Sequence, residues 1–193
     1  MKEMENRQEK IERVIGNRRE GVVVLEDIHD PHNAAAVWRS CDAFGWQKVY
    51  LIFDKEIPFN PKKVGKASSS SANKWLTFKI FKSTKECFEE LKKDGFEIYA
   101  TVLDEGSKGL WETKFRNKKT AIALGNEHRG LSETAVKLAD RKIYIPMRGM
   151  VQSLNLSVTA GIVLAEAERQ RNSDPRSWML DLREKEELLK RWR

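Results

Sequence analysis

Residues 145–171 read IPMRGMVQSLNLSVTAGIVLAEAERQR. Four polar side chains, Gln152, Ser153, Asn155 and Ser157, are interleaved there with Leu154 and Leu156, directly after a Pro-Met-Arg-Gly turn. The small and apolar residues that follow predict a buried helix over about 153–169 that surfaces at Glu166. Free amides at the start of a helix need acceptors, and Ser153 or Asn155 can cap them. Capping takes one polar residue, and four are present. The surplus points to backbone amides and carbonyls of this loop holding a polar ligand while Leu154 and Leu156 face the core.

Three more polar stretches resemble it in placement: EDIHDPHN, VLDEGSKG and GNEHRG each follow an apolar run. All three histidines, His29, His32 and His128, lie in these stretches. Any one of them reads as an ordinary loop. Four together, at the exits of strands where α/β sheets bind ligands, read as one shared site. The chemistry is narrowed by what is missing. There is no GxGxxG after the first strand and no GxxxxGK[ST], which removes a dinucleotide fingerprint and a P-loop. His29 and His32 have a possible ligand spacing, but no cysteine or paired carboxylate completes a metal site, so no metal is expected. No Ser-His-Asp order stands out.

The elements that must carry these loops alternate. A charged helix is expected over 2–15, with Ile11, Val14 and Ile15 as a thin apolar stripe. GVVVLE (21–26) is a β-branched run suited to a strand buried on both faces. Asp30 and Pro31 then open a helix that Gly45 closes. KVYLIF, WLTFKIF, FEIYATVL, TAIALG and RKIYIP read as further strands, with a mobile loop at 55–74. Between them, Ser83 with Glu86 reads as a capping box and Ser132 as a cap. The pattern predicts an α/β fold, a mostly parallel sheet with helices on both faces. A tail helix restarts at Asp174–Pro175 and places Trp178, Leu182, Leu189 and Trp192 on one face. The expected organisation is a helical extension over 1–19, a body over 20–171 and a second extension over 172–193.

The formal net charge is +7, which favours a polyanionic partner. No apolar run is long enough to cross a bilayer, and the first sixteen residues are too charged for a secretory signal. Cys41 and Cys87 stand alone. These features predict a cytoplasmic protein with no membrane partner.

NAAAVWRSCDAFG, ALGNEHRGLS and IPMRGMVQSLNLSV resemble, in order and spacing, the three signature motifs of the SpoU/TrmH branch of the SPOUT RNA methyltransferases, over roughly residues 20–171. The resemblance implies a C-terminal deep trefoil knot, S-adenosyl-L-methionine as cofactor and a homodimer. It further implies 2′-O-methylation of a tRNA ribose, at guanosine 18 of the D-loop. Carried over by motif, the catalytic set is Asn33, Arg39, Glu127, Ser153 and Asn155. Thr101, Leu103, Gly125, Ile145, Met147, Ser153 and Leu154 fall where the family holds the cofactor. Arginine in this family is often assigned as base; a guanidinium keeps its proton, so clamping a phosphate and stabilising an alkoxide asks less of Arg39. Phosphate contacts are expected from NPKKVGK, KFRNKK, Arg18, Arg19 and the tail's LLKRWR. Two readings stand beside this one: methylation of another RNA site (the tRNA wobble nucleotide or ribosomal RNA), and a non-catalytic RNA-binding protein.

Overall fold

The computed structural model describes residues 5–64, 72–115 and 118–193. Helix α1 (Arg7–Gly16) opens with a reciprocal capping box between Asn6 and Glu9, and buries Ile11 and Ile15. Strand β1 (Arg19–Glu26) follows, then α2 (Pro31–Ala43), capped by Asp30 with Pro31 in the first turn. Next come β2 (Trp46–Ile52), β3 (Thr77–Phe81), α3 (Thr84–Lys93) and β4 (Glu97–Thr101). The chain continues through β5 (Lys108–Gly109), β6 (Thr120–Leu124), α4 (Glu133–Leu138) and β7 (Arg141–Tyr144). Helices α5 (Leu156–Arg171) and α6 (Leu182–Trp192) complete it.

All seven strands run parallel in the order β3-β2-β1-β6-β4-β7-β5. Successive side chains of a strand point to opposite faces, and β1 shows the consequence. Val23 and Leu25 join the layer under α2 and α5, with Trp38, Val163 and Leu164. Val22 and Val24 join the opposite layer, with Phe88 and Leu91 of α3 and Ala135 of α4. Helices therefore cover both faces, as the alternating pattern predicts. No helix among the described residues is long and apolar enough to cross a membrane.

Several boundaries differ from the sequence reading. Of the expected loop at 55–74, residues 65–71 lie outside the described residues, and 72–74 form a 3-10 turn whose Asn73 is buried. Ser83 accepts from the Glu86 amide. VLDEGSKG contains β5, too short for any periodicity, which pairs with β7.

Helix α5 starts at Leu156 with Asn155 as its cap, so Ser153 is not the capping residue. Nor does α5 surface at Glu166. Glu166 is buried beneath Arg169, which donates two hydrogen bonds of 2.8 Å to it. Glu168 accepts from the Trp46 indole at 3.0 Å, and the Arg171 guanidinium lies between Trp46 and Trp178 at 4.5 and 4.7 Å.

The tail departs most. Residues 175–178 form a 3-10 turn, and the Leu180 amide then donates to the Arg18 carbonyl, which breaks the expected continuous helix. With α6 starting at Leu182, Leu188 and Trp192 face inward while Leu182 is 79% exposed. They pack on Ile11, Ile15 and Leu180 as a third apolar cluster. Trp192 meets Trp75 edge-on at 5.1 Å, so it is a packing residue in this fold.

Candidate active site

The exits of β4, β6 and β7 open into a cavity of about 820 Å³. That is ample for a nucleoside-sized ligand. From β4 come Thr101 and Leu103; from β6, Gly125 and Glu127; from beyond β7, Ile145 and Met147; and Ser153, Leu154 and Asn155 close the wall. Asn33 at the start of α2 reaches the same cavity. Ten of the eleven residues singled out from sequence thus meet at one place. Arg39 does not. It lies six residues beyond Asn33, on a different face of α2, exposed and with no ion pair among the described residues.

The wall is built locally. At Gly125 a Cβ would sit 2.2 Å from backbone atoms of Gly130 and Leu131, so only glycine permits this approach. Residues 126 and 130 exchange backbone hydrogen bonds of 3.0 and 2.9 Å, and Gly130 has φ +68° at the turn. Asn126, which sequence reasoning passed over, organises the loop. Its Oδ1 accepts from the His128 and Arg129 amides, and its Nδ2 donates to the Asp27 carbonyl at 2.7 Å. The neighbouring GNEHRG glycines were the available signal, since a tight turn needs a side chain to occupy its amides.

One hydrogen-bonded chain joins the three loops. Glu127 accepts from the His29 amide at 2.9 Å, the Asp30 amide at 3.2 Å and Asn33 Nδ2 at 3.0 Å. The other end of the Asn33 amide, Oδ1, accepts from Asn155 Nδ2 at 3.2 Å, and Asn155 Oδ1 in turn accepts from Ser157 N and Oγ. Burial pushes the Glu127 carboxyl up, but the donors from Asn33 and the His29 and Asp30 amides outweigh it and hold it below the usual carboxylate range. An ionised carboxylate with both oxygens occupied is an anchor for α2.

Residues 147–154 make no hydrogen bonds to other described residues. Of these, Met147, Gln152, Ser153 and Leu154 line the cavity, alongside Leu103 and Ile145. Apolar walls with free backbone donors and acceptors suit a flat heterocycle that bears hydrogen-bonding edges. Leu156 faces the core as expected, whereas Leu154 faces this space.

Two candidate phosphate contacts are corrected here. Arg18 is buried, paired to Asp42 and stacked 5.1 Å from the Trp192 ring. Arg19 gives its Nε to Glu168 at 3.0 Å. Both serve the fold because the tail closes over them. In the tail itself, Arg191 donates to Thr77 and to the Trp75 carbonyl, while Lys190 and Arg193 are exposed. Lys62, Lys63, Lys114, Lys118 and Lys119 are exposed too, and Lys66 and Arg116 lie outside the described residues.

The chain is similar to several known proteins. The tRNA (guanosine(18)-2′-O)-methyltransferase of Thermus thermophilus is 40% identical over 168 residues, 86% of this chain and 84% of its own. The crystal structure of the Aquifex aeolicus TrmH/SpoU tRNA modifying enzyme superposes with a TM-score of 0.84 at 32% identity, covering 96% of this chain and 94% of that one. The SpoU methyltransferase AviRb of Streptomyces viridochromogenes, solved in complex with the cofactor AdoMet, gives 0.68 at 26% identity, over 89% of this chain and 63% of that one. Residues 20–165 match the SpoU rRNA Methylase family as a whole. With three quarters of its length matched and its motif loops gathered around one cavity, the chain belongs to the SpoU rRNA Methylase family.

Proposed function

We propose that this protein transfers a methyl group from S-adenosyl-L-methionine to the 2′-hydroxyl of a tRNA ribose, at guanosine 18. The observation that carries this reading is the Glu127–Asn33–Asn155 chain, which ties three motif segments together at the mouth of the cavity. The named function of the Thermus relative, matched over most of both chains, supports the position of the target.

The cavity fits the cofactor. Leu103, Ile145 and Leu154 would bracket the adenine, with backbone groups of 147–154, Gly125 and Thr101 available to its polar edges. Bound there, the sulfonium supplies an electrophilic methyl. The protein's own part is to place the hydroxyl in line and help its proton leave. Asn33, held at both ends of its amide, and Ser153, exposed at the rim, are the orienting groups. Arg39 clamps the phosphate next to the target ribose and stabilises the developing alkoxide.

Arg39 stands outside the cavity of its own chain, which supports action as a homodimer. So does an exposed apolar strip beside the site: Met150 is 99%, Val151 62% and Val158 48% exposed. The C-terminal segment is read as a deep trefoil knot. After β7, near one edge of the sheet, the chain returns to pack α5 against α2 on the far side of β6, as that threading requires. The cytoplasm is the proposed location, where the free thiols of Cys41 and Cys87 stay reduced.

The test uses tRNA carrying 2′-deoxyguanosine at position 18. Binding should persist and methyl transfer should be abolished. Undiminished methylation of the deoxy tRNA would move the target elsewhere, with the wobble nucleotide next to be mapped.

A further inference from the structure

Three ionisable residues from three loops, Glu56, His29 and Arg129, meet beside the cavity, which Arg129 lines. They follow β2, β1 and β6, which are adjacent in the sheet. Glu56 receives Arg129 Nη2 on one oxygen at 2.7 Å and His29 Nδ1 on the other at 3.1 Å. Glu56 is itself fixed. Its amide donates to Asp27 Oδ1 at 3.1 Å, beside those of Asp54 and Lys55 at 2.8 and 2.9 Å. Asp27 turns the chain with φ 51°, a conformation few residues bearing a Cβ adopt. Such an anchor, at the exit of β1, is more than a surface ion pair needs.

Exposure orders the three charges. The Glu56 side chain is 18% exposed, while His29 is 65% and Arg129 50% exposed. The carboxylate lies beneath and the two nitrogen groups stand outside it. Arg129 also lines the cavity. Of its five N–H donors, only the one to Glu56 is engaged by a described residue. Around the His29 ring stand Glu56, Glu127, Arg129 and, edge-on at 6.1 Å, His128.

We infer that Glu56 is a positioning residue that holds the Arg129 guanidinium and the His29 imidazolium together beside the cavity as one preformed seat for an RNA phosphate. The inference rests on the RNA-methyltransferase reading and adds where the substrate backbone is gripped. A free arginine would lose its rotamer freedom on clamping a phosphate; here that ordering is already done. The seat titrates. With His29 protonated the trio carries a net +1, and with His29 neutral it carries none. The Glu56 hydrogen bond raises the His29 pKa, so the charged form persists above the ordinary histidine range. RNA affinity should therefore fall as pH rises through that elevated value.

The sign of one substitution decides the matter. Affinity for an unmodified tRNA transcript is measured by filter binding for wild type, Glu56→Ala, Arg129→Ala and His29→Asn across roughly pH 6 to 9, spanning the histidine range. If Glu56 positions the seat, Glu56→Ala weakens tRNA binding about three- to tenfold, although it removes a negative charge near a polyanion. Its pH step also moves to lower pH, and in His29→Asn the step disappears. Arg129→Ala lowers the slope of log affinity against log salt by about one. S-adenosylmethionine affinity, read by calorimetry, stays constant in Glu56→Ala and His29→Asn, since neither residue lines the cavity. If Glu56 is only a surface acid, its removal leaves tRNA binding equal or tighter, and the inference is overturned. Should Glu56→Ala melt early, the half-exposed Arg129→Ala and His29→Asn variants decide, and an unchanged salt slope with an unchanged pH step overturns it equally. Wild type that methylates tRNA while the variants behave like it refutes this seat alone. Wild type that neither binds nor methylates tRNA refutes the function beneath it.

Discussion

Replacing Glu127 by glutamine tests whether the three loops are held by one carboxylate. Glutamine keeps an oxygen for the Asp30 amide and Asn33 Nδ2, but sets an NH2 against the His29 amide, now 2.9 Å from an acceptor. One hydrogen bond is lost and two fall from charge-assisted to neutral. With water able to reach the half-exposed loop, the cost is about 2 kcal/mol. For a chain of this size that lowers the melting temperature by roughly 4–8 °C at neutral pH. The folded-state pKa of Glu127 is depressed, so its contribution is complete above the ordinary value of 4.5 and is lost as pH falls through the lower folded value. The variant has no such titration. The gap between the two melting curves should stay constant from about pH 8 to pH 5 and narrow in stronger acid. Methyl transfer should drop at least about tenfold, because Asn33 loses its anchor while the cofactor wall is untouched. Equal melting temperatures at neutral pH, or a gap that survives full protonation of the carboxylate, would refute the anchoring argument.

Arg39→Ala should lose methyl transfer by about a hundredfold or more while S-adenosylmethionine binding and melting temperature hold, since Arg39 is exposed and carries no ion pair among the described residues. Arg39→Lys separates charge from geometry: recovery of turnover indicates simple charge stabilisation, and continued loss indicates a planar clamp. Deleting residues 173–193 removes Leu180, Leu188 and Trp192 from the cluster on Ile11 and Ile15, which costs on the order of 5 kcal/mol of apolar burial. A fall of about 10 °C or more in melting temperature is expected. A truncated protein that melts normally and loses only tRNA affinity would return the tail to an RNA-binding role.

The local motifs determined a great deal. The β-branched run of β1, the Asp30–Pro31 start of α2 and the strand–helix alternation are short-range signals, and each took the form its side chains demand. The set of cavity residues was available for a related reason: three motifs of fixed spacing mark loops that must converge if the strands between them are parallel neighbours. What the chain could not display in one dimension was who covers whom. Arg18, Arg19, Glu166 and Arg171 carry charge and so read as surface. Arg18, Glu166 and Arg171 are buried, and Arg19 is half-buried, because Asp42, Glu168, Arg169 and two indoles reach them, in several cases from more than a hundred residues away. Leu182 and Leu188 are the same residue type six positions apart; residues 179–180, pairing beside β1, reset the phase of α6 and decided which of them is buried. Glu56 and Asp27 fall outside the three motifs, and Asn126 lies within one without any role that its spacing reveals. Their roles depend on the exits of β2, β1 and β6 lying side by side, and strand order is set by long-range packing, which no local periodicity encodes.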